Sequence, residues 1–134
     1  MSNHAYWQAA SGDSPCDVTV ADAALRVDLE PAAGGHAGKP VPHDLLDAAL
    51  AACTTLTLQL YAKRKGIEVG SLRVEVTHTQ EAGVYRMQRS IAVGAPISDE
   101  QRAALLRIAE ACPVHKTLTG EIAIATRLDT ASGA

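Results

Sequence analysis

Two cysteines pose the chemical question in this chain. Cys53 lies inside PHDLLDAALAACTTLTLQLYAKRK, and Cys112 opens CPVHKTL. A cysteine acts as a nucleophile only as its thiolate, so its surroundings decide its use. Cys112 stands where a helix would start, with Pro113 at the first helical position and His115 and Lys116 close behind. Free backbone N–H groups and the dipole at such a start favour negative charge on sulfur. Cys53 has the weaker case on its own. It falls on an apolar helix stripe, which disfavours the charged form, and reads as a small core hydrophobe unless a cation comes near. Arg86, Arg89, His43, His36, Lys116 and their copies in a partner subunit are the candidates for that cation. Cys16, in a strand-like segment without basic neighbours, reads as structural.

Rival chemistries find no support in the spacing of residues. There is no CxxC, HxxxH or HExxH, so no metal site is expected; His78, at the polar end of a strand, and His4, near the terminus, read as solvated. A GxSxG elbow and a glycine-rich phosphate loop are also missing, and no cofactor is expected.

The Cys53 segment must be positioned by a long helix over residues 42–65. At about 100° per residue, Leu46, Ala49, Leu50, Leu56 and Leu60 surround Cys53 on one face, while Ala48, Ala51, Thr55 and Ala62 make the other face small. Pro42 suits the first turn, Asp44 and Asp47 the positive end of the dipole, Lys63, Arg64 and Lys65 the negative end, and Gly66 the stop. The run is nearly apolar enough for a membrane span, but Asp47, the threonines and Gln59 interrupt it, so it is read as a buried core helix. With both faces apolar, a chain of this size cannot easily cover it alone. A homodimer follows, with the small-residue face against its symmetry mate.

Elsewhere the pattern alternates. Residues 5–10 and 16–30 read as strands with turns at 11–15 and 20–23, residues 31–42 as a loop rich in Gly and Pro, and residues 72–77 and 85–93 as a hairpin turning at 81–83. Ser98 and Gln101 form a capping-box signature ahead of a helix over 99–111, followed by a short helix from Pro113 to Leu118. Ile122 and Ile124 suggest a last strand, and residues 129–134 a frayed tail. The sum is an α+β chain, one domain over residues 1–134, in which an antiparallel sheet covers a buried helix.

Composition agrees with an ordinary globule: 134 residues, 47% hydrophobic, net charge −3. Dispersed basic residues, no Phe, one Trp and three Tyr offer little to nucleic acid. No signal-peptide pattern or lipidation motif is evident, and three cysteines, an odd number, do not suggest a disulfide scaffold; a cytoplasmic location without membrane attachment is expected.

Two segments then become recognisable. PHDLLDAALAAC, residues 42–53, and CPVHKTL, residues 112–118, with SDEQRAALLRIAEA before the second, resemble the paired motifs of the OsmC-like family, which includes the organic hydroperoxide resistance proteins. The similarity covers about residues 15–128. It implies the OsmC-like fold: an intertwined homodimer with two central helices back to back, sheets wrapped around them, and sites at the interface. It further implies a thiol-dependent peroxidase of oxidative stress defence that reduces organic hydroperoxides. By position Cys53 attacks and Cys112 resolves, closing a disulfide that a dithiol reopens, a lipoylated protein in the best-understood branch. The resemblance therefore reverses the ranking of the two thiols given by their local settings. Where peroxidase branches place a glutamate ten residues before the helix cysteine, this chain has His43, next to Asp44; the arginine of the N-terminal strands is missing from residues 11–15, leaving Arg26. His43, Asp44, His115 and Lys116 are the groups expected to support the thiols. The alternative reading is a dimeric small-molecule binding or redox-sensing protein with little or no peroxidase activity.

Overall fold

The computed structural model describes residues 2–131, in the order of three short strands, a long helix, a hairpin and two helices. Strands β1 (His4–Tyr6), β2 (Cys16–Val20) and β3 (Ala23–Val27) form an antiparallel sheet in that spatial order, with Ala5 opposite Val18 and Val18 opposite Leu25. Residues 9 and 10, expected to extend the first strand, instead form a 3-10 turn, Ala9–Ser11, closed by Gly12 at φ 68°. Left-handed backbone suits glycine, so Gly12 can close this turn without strain.

Helix α1 occupies Pro42–Lys65. Its end is a Schellman motif: Gly66 adopts φ 70°, its N–H bonds the Lys63 carbonyl, and the Ile67 N–H reaches back to the Ala62 carbonyl at 2.8 Å. Strands β4 (Leu72–Glu81) and β5 (Val84–Val93) are joined by a two-residue turn in which Ala82 and Gly83 both have positive φ, the geometry that matches strand twist. Helix α2 (Asp99–Glu110) starts with the full capping box between Ser98 and Gln101, worth roughly 1 kcal/mol. Helix α3 (Pro113–Thr119) starts with Cys112 as its N-cap.

The chain divides into two compact units. One runs up to Ala52 and includes Val74–Ile91; it buries Val27, Val41 and Leu50 together with Asp28 and Asp47. The other holds Cys53–Arg73 and the residues from Ala92 onward, and buries Thr54, Leu58, Ala62, Leu105, Ala109 and Cys112.

A single chain leaves part of α1 uncovered, as expected from its two apolar faces. Helix α1 is covered along only one side within this chain: Leu50, Thr54, Leu58 and Ala62 are buried, but Leu46, Leu56 and Leu60 are 41%, 58% and 59% exposed. The covered stripe steps by four residues, a spacing that keeps side chains on one helix face, and Leu46, Leu56 and Leu60 fall outside it. The expected last strand needs correction, for among the described residues it is not formed. Residues 121–131 have no regular structure, with Ile122, Ile124 and Leu128 exposed. A strand needs a paired neighbour for its N–H and C=O groups, and no described strand pairs with this segment. Of the expected tail, residues 132–134 lie outside the described residues.

Candidate functional site

Cys53 and Cys112, remote in sequence, come within 3.6 Å of each other with no disulfide between them. A bonded pair has its sulfurs about 2.05 Å apart, so a small approach joins them. Their exposures differ. Cys112 is fully buried, whereas Cys53 is partly accessible.

Local folding explains the arrangement. Pro113 lacks an N–H and fits the first position of α3, which leaves the next two amides without helical partners. One of them, His115 N–H, donates to Cys112 Sγ at 3.4 Å. The other, Val114 N–H, donates to Cys53 Sγ at 3.5 Å. Thr57 follows Cys53 by one helical turn, and its hydroxyl lies 3.9 Å from Cys53 Sγ; the fully buried Thr54 places its hydroxyl 3.8 Å from Cys112 Sγ. Backbone N–H groups and hydroxyls on sulfur are the partners that a thiolate accepts from. Thr54 and Thr57 were not legible as site residues, although Thr57 at four positions after Cys53 is a spacing that brings helical side chains together.

The supporting residues sort differently. His115 contributes its backbone to Cys112 while its ring faces Glu110 at 3.4 Å. Lys116 is exposed and its N–H bonds the Cys112 carbonyl. His43 and Asp44 belong to another cluster. Tyr85 donates its hydroxyl to Asp47 Oδ1 at 2.7 Å and to the His43 carbonyl at 3.2 Å; the other Asp47 oxygen bonds His78 Nδ1. The rings of His43 and His78 stack on Tyr85 at 5.1 and 4.9 Å. Asp44 accepts from Val41 N–H at 2.9 Å. His78 is thus a bonded, largely covered residue rather than a solvated one, because the burial of Asp47 demands partners for both of its oxygens. Burial first, and then the Asp47 carboxylate, push the Tyr85 phenol above its ordinary range, so it stays a donor. Asp44, Asp47 and His78 bring potential ligand atoms within 4.8 Å of one another, but protein donors already engage one oxygen of Asp44 and both of Asp47.

His36, another candidate cation, pairs with Asp13 at 2.7 Å, and Ser14 and the His36 N–H bond the buried Asp28. The hydrogen bond to Asp13 raises the His36 pKa, and the same bond lowers that of Asp13. Stability from the raised imidazole is full below its unfolded value and fades as pH climbs through the folded one. Stability from the lowered carboxyl is full above its unfolded value and fades as pH falls through the folded one. The tie between the 13–14 and 28–36 segments is therefore tightest from mildly acidic to near-neutral pH. Amide exchange at His36 is expected to quicken on both sides of that window; a flat profile would discount the tie.

The OsmC-like protein family profile matches residues 35–127. Solved structures resemble the chain across most of its length. They include an osmotic stress and detoxification response protein assigned in Psychrobacter arcticus 273-4, 21% identical over 87% of each chain with a TM-score of 0.75. An OsmC like protein from Mycoplasma pneumoniae is 22% identical over 89% of this chain and 86% of its own, with a TM-score of 0.71. An organic hydroperoxide resistance protein from Legionella pneumophila is 18% identical over 89% and 88%, with a TM-score of 0.62. At such identities the likeness shows a shared fold. No curated protein matches the chain.

Proposed function

Because this chain belongs to the OsmC-like protein family, we propose that it is a thiol-dependent peroxidase that reduces organic hydroperoxides through Cys53 and Cys112. The observation that carries this reading is the approach of the two cysteines to 3.6 Å, with only one of them accessible. In the first step Cys53 releases its proton to water and the thiolate attacks the terminal oxygen of ROOH; the O–O bond breaks, the S–OH group keeps the peroxide hydrogen, and the alkoxide takes a proton back from water to leave as ROH. Cys53 is now a sulfenic acid. The Cys112 sulfur then attacks the Cys53 sulfur and displaces hydroxide, which takes the Cys112 proton and departs as water, leaving a disulfide. An external dithiol, of which a lipoylated protein is one form, reopens it by exchange and is itself oxidised.

The exposed Leu46, Leu56 and Leu60 beside Cys53 suit a substrate with a hydrocarbon tail and also favour a homodimer in which a partner covers them. The unpaired segment containing Ile122 and Ile124 supports the intertwined form of that dimer, since a partner's sheet edge could receive it. A cytoplasmic setting would keep both sulfurs reduced between cycles.

Consumption of cumene hydroperoxide in the presence of dithiothreitol tests the proposal, with mass spectrometry following the loss of two hydrogens on disulfide formation. Turnover through a Cys53–Cys112 disulfide is the expected result, and a reduced protein inert to the peroxide would refute it. The Cys53 partners described above, the Thr57 hydroxyl and the Val114 N–H, are uncharged, and this favours a second reading, a redox-sensing or ligand-binding protein with little turnover. That reading predicts an alkylation rate for Cys53 that follows pH like an ordinary thiol.

A further inference from the structure

We infer that Thr54 is a positioning residue for the resolving step, its hydroxyl holding the Cys112 thiol for attack on oxidised Cys53. The inference rests on the cysteine-pair reading and concerns its second half. Thr54 and Cys112 are both fully buried, and Thr54 Oγ1 lies 3.8 Å from Cys112 Sγ. On another side the sulfur accepts the His115 N–H at 3.4 Å, which leaves its own proton to point elsewhere. A hydroxyl can accept as well as donate. Thr54 can thus take the S–H bond while Cys112 is a thiol, and give a hydrogen bond to the sulfur as its proton departs. In a dry site, a group that suits both states lowers the cost of passing between them.

The helix places this hydroxyl where it is needed. Thr54 directly follows Cys53 on α1, so the residue that steers the resolving sulfur is carried on the same turn as the sulfur to be resolved. When Cys112 attacks, an S–S bond forms and the S–O bond of the sulfenic acid breaks; the hydroxide leaves as water with the Cys112 proton. The two electrons of the new bond come from Cys112. No further reagent enters.

Three variants separate the hydroxyl from the shape it fills. Thr54→Val keeps the branched side chain and removes the hydroxyl, Thr54→Ala removes both, and Thr54→Ser keeps the hydroxyl alone. After a single pulse of cumene hydroperoxide, disulfide formation is expected to slow by about tenfold in the Val and Ala variants, the size of one hydrogen bond expressed as a rate. Thr54→Ser should stay within about twofold of the native protein, as conservation of the hydroxyl requires. Delayed resolution should also raise the share of Cys53 carried on to sulfinic acid at high peroxide, read as a gain of two oxygens. A native disulfide rate in Thr54→Val, or equal slowing in the Val and Ser variants, would overturn the role. Diamide supplies an independent arm: Cys53 adds to its N=N bond and Cys112 then displaces the hydrazine, so resolution is read without peroxide. If diamide shows the hydroxyl dependence while the native protein ignores cumene hydroperoxide, Thr54 keeps its role and the peroxidase reading falls.

Discussion

Replacement of Cys53 by serine is expected to lower cumene hydroperoxide consumption by about a hundredfold or more, because a hydroxyl of ordinary acidity replaces the proposed sulfur nucleophile and the neighbouring Cys112 thiol is buried. Cys112→Ser has a different signature. The first oxidation proceeds, as a sulfenic acid that dimedone traps on Cys53, but the disulfide cannot close and repeated peroxide drives Cys53 to sulfinic acid. The contrast follows from the geometry, since a substrate arriving from solution would reach the partly accessible Cys53 and not the buried Cys112. Equal turnover by the native protein and Cys53→Ser would remove that residue from the mechanism, whatever Cys112 does.

Asp47→Ala is expected to destabilise the fold by about 3 kcal/mol, since it strips a buried acceptor from both Tyr85 and His78. For a chain of this size that is a fall of roughly 10 °C in Tm. Asp47→Asn should cost less. Its amide oxygen can still accept from Tyr85, and its NH2 can face His78 if the imidazole presents an unprotonated nitrogen. Thermal unfolding followed by circular dichroism distinguishes the cases; a Tm for Asp47→Ala within 1 or 2 °C of native would show that water replaces the carboxylate.

Much of this molecule was legible in the sequence because its signals are local. Helix α1 occupies the residues that its apolar run, charged ends and Gly66 specify, and the capping box of α2 and Cys112 as the N-cap of α3 depend on neighbours a few positions apart. What could not be read depends on neighbours far along the chain. The 3.6 Å approach of Cys53 to Cys112 was implied by resemblance alone, since nothing in either segment names the other. His78 looked solvated because its partner, Asp47, lies thirty-one residues away and itself read only as an acid favoured by the helix dipole. The same limit explains α1. Periodicity shows that a face is apolar but not which neighbour covers it, and the leucines beside Cys53 are uncovered within the single chain.

In the proposed cycle, the unequal access to the two sulfurs would fix the course of regeneration. With Cys112 sealed at 0% exposure, an incoming dithiol can touch only the Cys53 side of the bridge, so the mixed disulfide forms on Cys53 and Cys112 departs as the leaving group. It departs into the hydrogen bond from the His115 amide, which eases its exit. In that cycle the accessible sulfur would receive both oxidant and reductant, and their traffic through one doorway would separate the two half-reactions in time.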